Sequence, residues 1–485
     1  MAGPPYATPV QPTPGRDRSF PPYAPQRRTA LVLSGTGAHG AYHAGVLRAL
    51  QDAGIKLDLV AGHGIGAATA ALAAIDGAAR LWDANGIWPS PVARTLYTWK
   101  PLLRLVAIFG AVLAVLLVVP LLVLALGLIA YPVGFLITLL GLNAGPALTA
   151  AYSSWLQSVF APEHLPTVLP RLVMLVLVII AITVAGGALT ARWRAPARRR
   201  STSGWWWDVF GGPLEAAGAR RALLEAIWQL IRGAAGAGRP EPRVIGRRYA
   251  DVLSESLGQP GVRELIAIAT DLDARRDVVV AFLREPYRAQ FLAPFDGRDR
   301  RAEVLDLAGF GREHGLEVVA AALTPPVGFD PALVTFGPDS YWRGETHRVC
   351  DRPEAIGRLL EELDAAGVRQ VILVSGVVAT GGPHRLSSPR LDPRHRLGDY
   401  LVAAESIALE QAVTFARSRF EAVYLVTPSH NPLGPFDFAG VYDEASDRRM
   451  DPGELMDRGY SDAHRLFIEP VVGASGEQLA RSAPI

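Results

Sequence analysis

The sequence contains little charge, one cysteine and almost no lysine. Charged residues make up 19% of the 485 positions, against roughly 25% in typical soluble domains, so an uncharged segment must lower the average. A formal net charge of +2 provides no basic field and argues against nucleic acid as the main partner. Because Cys350 is the one cysteine, the sequence excludes an internal disulfide framework and a cysteine-rich metal site. No cofactor is predicted.

Two long uncharged, apolar runs account for the low share of charged residues. Residues 105–162 contain no charged side chain, and residues 172–191 form a second uncharged run of 20 residues. A membrane-spanning helix needs roughly 20 apolar residues, so the second run fits one crossing. Within the first run, the stretch from Leu105 to Leu142 is longer than one crossing and is interrupted by Pro120 and Pro132. It is therefore interpreted either as one span plus a re-entrant or interfacial piece, or as two spans.

Charges beside these runs predict how the chain is oriented in a membrane. Arg94, Lys100 and Arg104 lie before residue 105, and five arginines lie between residues 192 and 200, whereas residues 143–170 contain neither arginine nor lysine. Positively charged flanks prefer the cytoplasmic side, so an even number of crossings is expected, most simply two. We therefore predict an integral protein of the bacterial inner (cytoplasmic) membrane, with its remaining domain on the cytoplasmic side.

The organisation of the rest of the chain predicts an α/β domain. Residues 1–28 are rich in proline and poor in apolar periodicity, which predicts a disordered tail. Residues 29–95 contain the pattern strand, glycine turn and helix twice in succession, which is typical of a parallel α/β sheet. Residues 96–204 are the transmembrane insertion, and residues 205–485 are expected to complete the α/β domain with a C-terminal extension.

The first glycine turn leaves a nucleotide-binding interpretation open. Gly35 to Gly40 follow the G-x-G-x-x-G pattern between a strand and a helix, and the amides of such a loop can bind a pyrophosphate. A dinucleotide site also needs an acidic residue at the end of the second strand, whereas Asp58 stands at its beginning. A nucleotide-binding membrane protein therefore remains one alternative.

Both glycine turns together resemble the patatin-like phospholipase family. Residues 31–47 are similar to the strand, G-G-G-x-x-G loop and helix with which that family begins, and residues 62–66 stand where its G-x-S-x-G elbow follows. The resemblance implies a parallel-rich sheet with flanking helices, and acyl-ester hydrolysis by a Ser–Asp dyad. It also implies an oxyanion loop made of Gly35, Thr36, Gly37 and Gly40, and an elbow made of Gly62, His63, Gly64 and Gly66.

This sequence departs from the family pattern at both dyad positions. Gly64 occupies the place of the nucleophile, and Arg343 the place expected for the aspartate. The candidate substitutes are His63, Glu345 and Asp339. Ser34 and Ser375 each end a strand and are interpreted as loop hydrogen bonders. No metal site is predicted, because the histidine spacing contains no metal-binding motif.

These departures predict a membrane-anchored member of the family that is catalytically impaired and binds membrane lipid or an unidentified protein. The first alternative is an active lipid acyl hydrolase (a phospholipase or esterase) that uses a non-standard nucleophile or an activated water. The second alternative is the nucleotide-binding membrane protein described above.

Overall fold

The computed structural model describes residues 22–159, 161, 165–194, 211–233, 238–293, 300, 302–338, 342, 344–378, 393–431, 433–443 and 447–473. The chain forms two compact units. The first consists of residues 1–97, 216–326 and 331–485, and the second of residues 98–215 and 327–330. Most of the predicted tail, residues 1–21, lies outside the described residues.

A nine-stranded sheet forms the centre of the first unit. Its main path runs in the order β11-β10-β1-β2-β5-β6-β7, and β9 pairs with both β5 and β8. The first five strands of this path are parallel, while β6 is antiparallel to β5. The strands of this sheet are β1 (Thr29–Ser34), β2 (Leu59–His63), β5 (Glu264–Asp271), β6 (Arg276–Phe282), β7 (Ala302–Asp306), β8 (Ala332–Thr335), β9 (Thr346–Cys350), β10 (Gln370–Ser375) and β11 (Ala422–Val426). Two separate two-stranded sheets consist of β3 (Thr98–Trp99) with β4 (Leu214–Glu215), and of β12 (Val441–Asp443) with β13 (Arg448–Met450).

Helices cover both faces of this sheet. Those of the first unit are α1 (His39–Asp52), α2 (Ile65–Ala74), α3 (Ala79–Trp82), α7 (Ala217–Ile231), α8 (Pro242–Ser256), α9 (Tyr287–Leu292), α10 (Gly315–Ala321), α11 (Ala355–Ala365), α12 (Pro393–Arg419) and α13 (Pro452–Ala463). Short 3₁₀ segments occur at Pro91–Thr95 and Phe310–Arg312, and a π-helix at His464–Gly473. Gly45 and Gly459 let α1 and α13 approach closely, because a Cβ at either position would overlap backbone of the other helix.

The second unit contains the long apolar helices. They are α4 (Pro101–Leu139), α5 (Ala144–Val159) and α6 (Leu165–Arg194). Within the described residues, two helical stretches, residues 101–139 and 171–190, are long and apolar enough to cross a membrane. In each of them, only 6% of the most apolar 18-residue stretch is buried. Helix α4, which contains most of the stretch 105–142 together with Pro120 and Pro132, is continuous over 39 residues, almost twice the length that one crossing requires.

The α/β prediction is confirmed, and the sheet continues across the apolar insertion. β2 precedes the insertion and β5 follows it, yet they pair in parallel from Leu59↔Glu264 to His63↔Ile268. The buried Arg28 and Glu264 side chains form an ion pair that links the start of β1 to β5, with Arg28 Nη1 donating to Glu264 Oε1 over 2.8 Å. This pair lies at the amino edge of the parallel strands, opposite the two glycine turns.

Candidate active site

The glycine loop connects β1 to α1 and has two backbone positions that require glycine. Gly35 has φ 151° and Gly37 has φ 60°, values that favour glycine because it has no Cβ. The carbonyl of Pro435 packs directly against Gly37 and accepts a 2.8 Å hydrogen bond from the Ala38 N–H. Among the described residues, no hydrogen-bond acceptor contacts the N–H of Thr36 or Gly37. One amide of this loop, that of Ala38, therefore binds the protein's own carbonyl, whereas those of Thr36 and Gly37 have no acceptor among the described residues.

The second glycine turn has the backbone of a nucleophile elbow. Gly64 caps the N-terminus of α2 with φ 56° and ψ −133°, the kind of strained strand-to-helix turn that presents a nucleophile in hydrolases. A Cβ at Gly64 would lie 2.5 Å from the Gly35 carbonyl oxygen and 2.6 Å from Asp351 Oδ2. The Gly35 carbonyl is itself held by a 3.0 Å hydrogen bond from the Ile65 N–H. The space for a nucleophilic side chain is thus taken by neighbouring oxygens.

Asp351 is the carboxylate that faces the elbow, and the sequence analysis did not single it out. It follows β9 directly and is 1% exposed. The position predicted for the missing aspartate, Arg343, and the possible substitute Asp339 both lie outside the described residues. Glu345, the other possible substitute, has a side chain that is 68% exposed and contacts His347 Nε2 at 3.2 Å, so it does not belong to the elbow. The carboxylate at this site is therefore provided by Asp351.

His63 joins Asp351 to Ser34 in one hydrogen-bonded chain. His63 Nδ1 lies 3.1 Å from Asp351 Oδ1, and His63 Nε2 lies 2.9 Å from Ser34 Oγ. Ser34 ends β1 and His63 ends β2, and the parallel register of these strands, Leu33↔Gly62, brings the next residues side by side. Ser34, His63 and Asp351 are all at most 4% exposed. The interpretation of Ser34 as a loop hydrogen bonder therefore missed its partner.

Charges around His63 favour its protonated form. Burial opposes protonation, but the charge of Asp351, its hydrogen bond and the charge of Glu405 outweigh it and raise the pKa of His63 above its ordinary value. The opposite holds for His43, where burial and the neighbouring His39 lower the pKa to about 3. His43 is thus neutral, and its Nε2–H donates to the Ser34 carbonyl at 3.0 Å.

Several polar atoms at this edge of the sheet are buried without a hydrogen-bond partner in the described part of the chain. They are Thr36 Oγ1, His39 Nδ1, His43 Nδ1, Asp351 Oδ2 and both oxygens of Glu405. Glu405 Oε2 lies 3.3 Å from His39 Nδ1, a close contact that does not meet hydrogen-bond geometry. Buried polar atoms normally find a partner, so such a cluster is typical of a site that receives a polar group. No three of the described His, Cys, Asp or Glu side chains are arranged to hold a metal ion.

Comparison with known families agrees with this geometry. The family model described as "Patatin-like phospholipase" matches residues 31–333, which is more than half of the chain. The chain belongs to the patatin-like phospholipase family. The matched residues include both glycine turns and Gly64.

Individual relatives share only a short stretch with this patatin-family chain. It is 57% identical over 42 residues to "Neuropathy target esterase sws" of Drosophila persimilis, which is 9% of this chain and 3% of that protein. It is 56% identical over 43 residues to "Patatin-like phospholipase domain-containing protein 6" of Mus musculus, again 9% and 3%. The shared stretch is thus a small part of these curated relatives.

Among solved structures, VipD from Legionella pneumophila is similar at 14% identity and a TM-score of 0.31, over 93% of this chain and 67% of that chain. The type III effector ExoU is similar at 15% identity and a TM-score of 0.27, over 93% and 53%.

Proposed function

We propose that this patatin-family protein is anchored in the bacterial inner membrane by a helical hairpin and binds membrane lipid over its glycine loop, without catalysis through the elbow. The observation that carries this proposal is the closed elbow. A Cβ at position 64 would meet oxygens of Gly35 and Asp351 within 2.6 Å, and glycine has no atom that can attack an ester. The Ser–Asp dyad reaction of the family is therefore lost at Gly64, while the glycine loop keeps free amides.

The continuous sheet supports an even number of membrane crossings. β2 and β5 are neighbours in one sheet, although the apolar helices α4 and α6 lie between them in sequence. A sheet can form only if both strands lie on the same side of a membrane, so the chain must return to the side from which it left. Exposed apolar side chains along α4 and α6, such as Leu128 at 79% and Ile182 at 66% exposure, support lipid contact.

A cysteine-labelling experiment tests this topology. Single cysteines at the exposed positions Gln51 and Gln259 report on the α/β unit before and after the hairpin, and Ala150→Cys reports on the connection. The native Cys350 is 3% exposed and gives little background. With a membrane-impermeant maleimide, Q51C and Q259C should react in inside-out vesicles and A150C in right-side-out vesicles. Reaction of A150C on the same side as Q51C would refute the two-span hairpin.

A second candidate function, acyl-ester hydrolysis with a different nucleophile, is favoured by one observation. The hydrogen-bonded chain Ser34–His63–Asp351 contains the three side-chain types of a serine hydrolase triad.

The nucleotide-binding alternative has less support. Asp58 precedes β2 and accepts a 2.9 Å hydrogen bond from the Thr29 N–H, so it lies at the sheet edge opposite the glycine loop.

A further inference from the structure

We infer that Ser34 is the nucleophile of this site, with His63 as general base and Asp351 as the carboxylate that orients His63. The substrate would be an acyl ester. Only the choice of an acyl ester as the substrate class rests on the lipid binding proposed above. Ser34 lies on the strand before the glycine loop, and not at the elbow position at which the family carries its serine.

The proton positions in the chain follow from the chemistry of Asp351. A carboxylate only accepts hydrogen bonds, so His63 Nδ1 carries the proton directed at Asp351 Oδ1, 3.1 Å away. In the neutral imidazole, Nε2 is then the acceptor, and it faces the Ser34 hydroxyl at 2.9 Å. Both contacts lie within the hydrogen-bond reach that a nucleophile and its base require. This is the tautomer in which His63 can remove a proton from Ser34.

The reaction balances with these residues and water. Ser34 Oγ forms a bond to the ester carbonyl carbon while its proton moves to His63 Nε2. The carbon–oxygen bond to the alcohol then breaks, and the leaving alcohol takes that proton from His63. Water, deprotonated by His63, attacks the acyl-Ser34 ester and releases the fatty acid, and the proton returns to Ser34 Oγ.

Groups that can stabilise the oxyanion lie two and three residues after Ser34. The N–H groups of Thr36 and Gly37 contact no acceptor among the residues that the structure describes. The Thr36 hydroxyl is also without a partner there, although the residue is only 2% exposed. Hydrogen-bond donors held in a buried site stabilise a developing negative charge strongly, because they are already oriented before the reaction. Burial of an unused hydroxyl is otherwise costly, so its retention favours a role toward a bound group.

Ser375 shows that this arrangement is not a general property of serines at the end of these strands. It ends β10, pairs in register with Ser34 and is fully buried. Its hydroxyl instead accepts a long 3.4 Å hydrogen bond from the Val377 N–H, and no imidazole of the described residues is bonded to it. Ser375 is therefore a matched control for Ser34.

Labelling with a small organophosphate tests the inference. Because Ser34 is only 4% exposed, the probe is diisopropyl fluorophosphate, applied to the full chain in detergent. Ser34 Oγ would form a bond to phosphorus, fluoride would leave, and the proton would pass to His63. Peptide mass spectrometry should then locate the adduct on Ser34. The labelling rate should rise with pH as His63 loses its proton, and then level off.

Variants distinguish a catalytic role of the hydrogen-bonded Ser34–His63–Asp351 chain from a merely structural role. Ser34→Ala should abolish the adduct, Ser375→Ala should leave it unchanged, and His63→Gln should lower the labelling rate by at least about 100-fold. Thermal unfolding of each variant in detergent checks that it is folded. No adduct on Ser34 in the folded wild type, or labelling as fast in folded H63Q as in the wild type, would overturn the inference. Neither result bears on the topology or the lipid binding proposed above.

Discussion

Replacing Gly64 by alanine measures how tightly the elbow is closed. The backbone there has φ 56°, where a residue with a Cβ costs about 1–3 kcal/mol in strain. The added methyl would also lie 2.5 Å from the Gly35 carbonyl oxygen and 2.6 Å from Asp351 Oδ2. Overpacking of this kind typically costs about 1–3 kcal/mol more. We therefore expect Gly64→Ala to lower the free energy of unfolding by about 2–6 kcal/mol.

Gly54 provides the control that separates strain from overlap. Its φ is 64°, almost the same as at Gly64, but a Cβ there would meet no atom within 4 Å. Gly54→Ala should therefore cost the strain alone. The assay is thermal unfolding in detergent followed by tryptophan fluorescence, in which 1 kcal/mol shifts the midpoint of a domain of 150–250 residues by about 2–4 °C. Equal midpoints for G64A and G54A would refute the closed elbow.

Three further predictions concern buried ionisable groups. Glu264→Gln should lower the free energy of unfolding by about 3–5 kcal/mol, because it leaves the buried Arg28 without its ion partner. Glu303→Gln breaks a more exposed ion pair and should lower that free energy by at most about 1 kcal/mol in the same unfolding assay. The folded-state pKa of His63 is raised. The stability that protonated His63 contributes should therefore be complete below about pH 6.5 and lost as pH rises through the folded pKa. The difference in unfolding free energy between wild type and His63→Gln should shrink over that range. Burial raises the pKa of Cys350 to about 12, so iodoacetamide at pH 8 should leave the folded protein unmodified, and rapid alkylation would contradict this.

Local patterns in the sequence were sufficient to predict the class of the fold. The continuous apolar runs of β1, β2, β10 and β11 predict buried strands because few polar side chains interrupt them. The glycines around His63 likewise predict a tight turn, and in the structure a Cβ at Gly62 or Gly66 would overlap neighbouring backbone. The paired strands β5 and β6 also follow from two apolar segments around a polar turn.

The contents of the site depend on contacts that no local pattern shows. Asp351 reaches His63 across 288 positions of sequence because β9 pairs with β8 and with the end of β5. Aligning the sequence on Gly344 to find the dyad aspartate gives no information about where β9 ends relative to β2. The contact between Ser34 and His63 was accessible in principle, because both residues end neighbouring parallel strands. In two neighbouring parallel strands, residues in register at the carboxyl ends lie side by side, as Ser34 and His63 do after the pair Leu33↔Gly62.

The most direct test of the proposed lipid site is photocrosslinking with a phospholipid that carries a diazirine in one acyl chain. The wild-type protein is reconstituted with this lipid, irradiated and digested, and the modified peptides are identified by mass spectrometry. We predict adducts on the apolar helices and also on peptides that contain the glycine loop, residues 35–40, and the segment that packs on it, residues 433–438. Adducts confined to residues 101–139 and 165–194 would contradict lipid binding over the glycine loop.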